Sequence, residues 1–104
     1  MLAGVHPLSR NIMKKRTLTI RNKLGIHMKP AGLLVAEAGK YHSHIDIYKD
    51  DVENMKVNAK SLIGVLMLAV GKGSNITFEA EGEDEDKALD SLEDLVIRRK
   101  FDED

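Results

Sequence analysis

From Thr17 onward, apolar and polar positions alternate. Leu18 and Ile20 stand against Thr17, Thr19 and Arg21, the two-residue period of a half-buried strand. Residues 22–25 break that rhythm. Ala31, Leu34, Val35 and Ala38 then recur at helical spacing, with Gly39 placed to end the helix. Ile45 and Ile47, alternating with His44, Asp46 and Tyr48, predict a second strand. Asp50 and Asp51 supply turn chemistry, and Met55 with Val57 continue as the third strand of a hairpin. Ser61 is placed to cap a short helix that starts at Leu62 and is closed by Gly71 and Gly73. Ile76, Phe78 and Ala80 form a fourth alternating segment, which Gly82 ends. The last helix opens on Asp84, Glu85 and Asp86 and closes on Arg98, Arg99 and Lys100, each sign complementing the dipole at its end. Ala88, Leu89, Leu92, Leu95 and Val96 make its buried stripe.

The predicted order is strand, helix, strand, strand, helix, strand, helix, which fits an α+β layer with helices on one face of a mostly antiparallel sheet. Residues 1–15 show no such period and are expected to be a flexible extension, with His6 a solvated side chain. They lack the basic start and apolar stretch of a secretory signal, and Met13, ahead of Lys14 and Lys15, offers an alternative translation start. The domain is expected over residues 16–100, followed by a solvated acidic tail at 101–104.

Composition narrows the function more than it names it. A chain of 104 residues holds one core, and 42% apolar content is enough to build it. Sixteen basic against seventeen acidic side chains leave no polyanion footprint, and only four aromatics are present, so a nucleic-acid partner is not expected. With no cysteine there is no disulfide, thiol nucleophile or thiolate metal site, which suits a reducing, cytoplasmic setting. The longest apolar run, residues 62–70, is far short of the roughly 20 residues of a membrane span.

Candidate chemistry gathers in Gly25-Ile26-His27-Met28-Lys29-Pro30-Ala31, the turn into the first helix. His27 falls at the N-cap and Pro30 in the first turn, where a missing N–H is tolerated. The backbone N–H groups of Met28, Lys29 and Ala31 are then expected to point out of the helix start and form an anion site with the dipole. The same positive field favours a neutral, nucleophilic ring at His27, and Lys29 adds charge beside whatever the ring carries. A plain polar cap is the competing reading.

This segment is similar to the phosphorylation-site motif of the histidine-containing phosphocarrier (HPr) family of the bacterial phosphotransferase system: Gly, Leu, His, any residue, Arg, Pro, Ala. A second block, Val57-Asn58-Ala59-Lys60-Ser61-Leu62-Ile63-Gly64-Val65, resembles that family's regulatory serine site. The resemblance covers residues 17–99. It implies an open-faced β-sandwich, a four-stranded antiparallel sheet covered on one face by three helices. It further implies that His27 accepts a phosphoryl group on Nδ1 from enzyme I, charged by phosphoenolpyruvate, and hands it to IIA-type acceptor proteins. No cofactor is implied, and a monomer is expected. Lys29 stands where the family has arginine; lysine is a mobile point charge rather than a planar fork, so phosphate binding is expected to persist in altered form. Ile26 for leucine conserves volume.

By the same resemblance Ser61 is a candidate substrate for HPr kinase/phosphorylase, and its phosphorylation would tune docking, including to a catabolite-control regulator. The alternative is a regulatory HPr paralogue, of nitrogen-branch or catabolite-control type, acting mainly through Ser61- or His27-dependent docking. Leu62, Ile63 and Leu66 match the family's docking positions, whereas Val65, Met67, Leu68 and Ala69 are assigned to the core. His42 and His44, two apart on a strand, lack a third ligand, and no metal site is expected. Glu79, Glu81, Glu83 and Asp84 read as a solvated strand end and helix cap.

Overall fold

The structure, a computed structural model, describes residues 13–103. Most of the expected extension, residues 1–12, lies outside the described residues. The elements are β1 (Lys14–Thr19), α1 (Met28–Ala38), β2 (His44–Lys49), β3 (Val57–Asn58), α2 (Leu62–Met67), β4 (Asn75–Glu81) and α3 (Glu85–Glu93). The helix α3 runs on as a π-helical turn over Asp94–Arg98. The sheet order is β1-β4-β2-β3, with every pairing antiparallel. The last strand is thus a central one, with Phe78 opposite Arg16 on one side and Ile47 on the other.

The two-residue period sends Leu18, Ile45, Ile47, Ile76, Phe78 and Ala80 to one face of the sheet, where they are buried. They meet Leu34 of α1, Val65 of α2 and the Leu89, Leu92, Leu95 and Val96 stripe of α3 in a single cluster. This is the open-faced arrangement of four strands under three helices. Across the helix-free face of β4, Glu79 is only 3% exposed, held by Lys56 at 3.1 Å and Lys15 at 3.4 Å. Burial alone would raise its carboxyl, but the two lysines hold it below the usual carboxylate range. Glu79 is therefore no solvated strand end; the long side chains of neighbouring strands close over it.

Other departures have physical causes. Lys14 and Lys15 pair with Ala80 and Glu79, so the sheet begins two residues ahead of the expected boundary. Met55 ends a 3₁₀ turn (Glu53–Met55), leaving β3 only two residues long. The helix α2 stops at Met67, and Ala69 turns left-handed at φ 52° well before the glycines.

The largest departure is at the C-terminal end. Lys100, Phe101 and Asp102 are all left-handed, at φ 47°, 56° and 58°, and Phe101 is fully buried. Each such residue costs on the order of 1 kcal/mol. The turn is sustained by the Phe101 anchor, by the Asp102 and Glu103 amides donating to the Arg99 and Lys100 carbonyls, and by the Arg99–Asp102 ion pair. The expected solvated tail is instead folded back onto the domain.

Candidate functional site

The loop between β1 and α1 is pinned at both sides. The Ile20 amide donates to the Ser74 carbonyl, the Ile20 carbonyl accepts the Gly73 amide, and Ile26 donates its amide to the Val70 carbonyl, each at 2.9 Å. Gly25 sits at φ +70°, and a Cβ there would lie 2.3 Å from the Val70 oxygen, so only glycine lets the two segments touch. The unwound stretch after α2 is thus the seat for the loop. Asn22, fully buried, donates its side-chain amide to the Gly25 carbonyl at 2.8 Å.

This brings His27 to the N-cap of α1 with extended backbone, and its side chain makes no cap bond. Its carbonyl accepts the Ala31 amide at 2.9 Å, so Ala31 does not belong to the expected set of free donors. The reason is geometric: the fourth helical residue already closes the first turn onto the N-cap carbonyl. Pro30 has no N–H. The amides of Met28 and Lys29, which have no intrahelical acceptor, remain at the positive end of the dipole.

The His27 ring is 38% exposed, with Nε2 at 3.0 Å from Oε2 of Glu103. The other carboxylate oxygen of Glu103 accepts the Asn22 side-chain amide at 3.0 Å. Lys29 donates its ammonium to the Asp102 carbonyl at 3.4 Å, a long and therefore weak contact on an exposed side chain. Beside the loop, Lys23, Leu24, Lys29, Asp102 and Glu103 line a shallow depression of about 370 Å³. Sequence reasoning missed Glu103, which is 76 residues from His27; the only pointer was the apolar Phe101 inside an otherwise charged terminus.

Ser61 is brought to the head of α2, where its Oγ accepts the Gly64 amide at 3.1 Å. A Cβ at Gly64 would sit 3.2 Å from the Val57 Cβ and 3.3 Å from the Ser61 hydroxyl, so the small residue keeps this turn open. Leu62 and Ile63 are exposed, as expected, but Leu66 is half-buried and packs on the core. Met67, assigned to the core from its sequence, is 77% exposed and takes the outer position instead. Ala69 is also exposed, Leu68 is half-buried, and only Val65 of that assigned set is fully buried. Helices α1 and α2 touch, so exposed Met28 and the exposed residues of α2 lie on neighbouring elements.

His44 pairs with Asp46 at 3.0 Å. Among the described residues no three His, Cys, Asp or Glu groups gather as a metal site. Asp84 heads α3 but turns its carboxylate to the Ser43 hydroxyl and to the amides of His42 and Ser43. Those donors, the Ser43 hydroxyl foremost, hold it down to about 2. Among the described residues no helix is long and apolar enough to cross a membrane.

Comparison with known proteins converges on one family. The family described as PTS HPr component phosphorylation site matches residues 14–98. The chain is 40% identical over 87 residues to phosphocarrier protein HPr of Cupriavidus necator, spanning 84% of this chain and 94% of the relative. The crystal structure of HPr from Thermoanaerobacter tengcongensis superposes with a TM-score of 0.79 at 42% identity, covering 88% of this chain and 99% of that one. Crh, a Bacillus subtilis catabolite-repression protein whose structure is a dimer with a swapped domain, is 41% identical. It covers 78% of this chain and 90% of its own, with a TM-score of 0.63.

Proposed function

The chain belongs to the HPr family of the phosphotransferase system, and from that premise we propose that His27 is its phosphoryl-carrying residue. In this reading His27 takes the group from phosphorylated enzyme I, ultimately from phosphoenolpyruvate, and passes it to a histidine of an IIA-type acceptor in the cytoplasm. The observation that carries the reading is the helix head itself. A half-exposed imidazole stands at the N-cap of α1 without capping it, so the Met28 and Lys29 amides stay available to phosphate oxygens.

The chemistry balances as a pair of in-line displacements. The Nδ1 lone pair forms a P–N bond as the donor's P–N bond breaks and its electron pair returns to the donor ring. The same exchange then runs toward the acceptor. Little covalent machinery is needed; positioning and neutralisation of the equatorial oxygens do most of it. Lys29, released from its long contact with Asp102, supplies a positive charge in place of the family's arginine.

Leu62 and Ile63, with Met67 beside them, form the docking surface in this reading, and Leu66 supports it from below. Ser61 is the regulatory phosphorylation site. A dianion at that helix head would suit the dipole yet oppose burial of the adjoining apolar residues against a partner. Similarity to Crh favours a second reading, a regulatory paralogue acting through docking. The two readings separate on incubation with phosphoenolpyruvate and purified enzyme I. An acid-labile label on wild type and none on His27→Ala supports the carrier. Equal labelling of both proteins, or no label with a competent cognate enzyme I, overturns it. Incubation with ATP and HPr kinase tests Ser61, and a label that persists on Ser61→Ala refutes that assignment.

A further inference from the structure

Glu103 reaches His27 by a backbone that few sequences adopt. Three consecutive residues without a glycine, Lys100, Phe101 and Asp102, are left-handed, and the buried Phe101 ring anchors them. Both oxygens of the carboxylate at the end of this turn are engaged. One faces Nε2 of His27 and the other accepts from Asn22, each at 3.0 Å. Asn22 is itself fixed, because its NH₂ serves two acceptors, Glu103 and the Gly25 carbonyl. A strained segment that ends on a fixed acceptor directed at a reactive ring is a built contact rather than a loose tail.

An ionised carboxylate can only accept, so the hydrogen in this contact belongs to Nε2. A neutral imidazole with its proton on Nε2 carries its lone pair on Nδ1. We propose that Glu103 is a positioning residue: it holds the His27 ring as the Nε2–H tautomer and leaves Nδ1 as the nucleophile. The second half of the proposal rests on the carrier reading. When Nδ1 bonds phosphorus, the ring becomes a cation with its proton still on Nε2, and Glu103 is the counter-ion. When the P–N bond breaks toward the acceptor, the electron pair returns to Nδ1 and the neutral Nε2–H ring is restored. No proton moves in either step. A carboxylate oriented on the far nitrogen of a working histidine is a general device for fixing tautomer and stabilising developing charge.

The test uses the full chain labelled with ¹⁵N at histidine. Long-range ¹H–¹⁵N spectra of the unphosphorylated protein are expected to show the Nε2–H form of His27 in at least about tenfold excess. In Glu103→Ala that excess falls several-fold. The rate constant for transfer from the phosphorylated protein to its acceptor falls about tenfold, with KM for enzyme I unchanged. A purely structural role would lower the melting temperature and leave the nitrogen shifts alone. A tautomer ratio within twofold of wild type overturns the proposal. Should Glu103→Ala fail to fold, the near-isosteric Glu103→Gln decides: a transfer rate equal to wild type overturns the counter-ion role, and a loss of about tenfold supports it. If wild type accepts no phosphate from any enzyme I, the carrier reading fails, while the spectra of the free protein still decide the tautomer.

Discussion

Two helix heads in this molecule meet the same physical problem and resolve it differently. Ser61 turns its hydroxyl inward onto the Gly64 amide, so the start of α2 is internally satisfied. His27 makes no cap bond, and its ring turns instead to a carboxylate from the far end of the chain. Capping normally contributes about 1 kcal/mol. A helix that forgoes it keeps two amides and the positive dipole end open to an incoming anion. The contrast marks where stability has been left unrealised, and in the proposed reading that is where a transferable phosphate fits.

The largest effect expected from breaking this contrast comes from giving α1 a true cap. His27→Ser should abolish labelling from phosphoenolpyruvate while thermal stability holds or rises by up to about 1 kcal/mol, read by autoradiography and urea denaturation. Next in size is the docking surface proposed for α2. Ile63→Glu, on a side chain 67% exposed, should raise KM for enzyme I about tenfold to hundredfold, with the melting temperature little changed. Leu66→Glu should in addition destabilise the fold by about 2 kcal/mol, because Leu66 packs on the core. Equal melting temperatures for the two variants would show that both residues are surface. Smaller again is Ser61→Ala, expected to cost about 1 kcal/mol of stability by denaturation while leaving phosphorylation of His27 intact.

Much of the fold was legible because its signals are local. Alternation in β1, β2 and β4 and the stripe of α3 are read within a single segment, and the glycine and proline around His27 mark its loop. What escaped depends on contacts distant in sequence. Glu79 looks solvated from its charged neighbours, yet it lies on a central strand under Lys15 and Lys56. Met67 could be turned outward only once α2 ended at two short turns; a six-residue helix has too few positions to define its buried face. The left-handed run Lys100–Asp102 contains none of the glycine or asparagine that usually announces such a turn. Glu103, the closest side-chain partner of His27, was hidden for that reason.

A third helix head sharpens the contrast by its small effect. Asp84 starts α3, yet its carboxylate makes no cap bond and serves the Ser43 hydroxyl and the amides of His42 and Ser43. It lends its charge to a neighbouring loop, whereas Ser61 serves its own helix and His27 leaves its amides open. Its carboxyl lies at about 2 in the folded protein against an ordinary 3.8. Folding therefore favours the ionised form, and the stabilisation is complete above the ordinary value. As pH falls from about 4 toward 2, both folded and unfolded chains become protonated and the contribution is lost. Melting curves of wild type and Asp84→Asn should accordingly differ most above pH 4 and converge near pH 2. A gap that stays constant down to pH 2 would mean that Asp84 acts there through shape alone. Labelling of His27 should be the same in both proteins, because a head whose side chain is committed to a loop has no part in receiving phosphate.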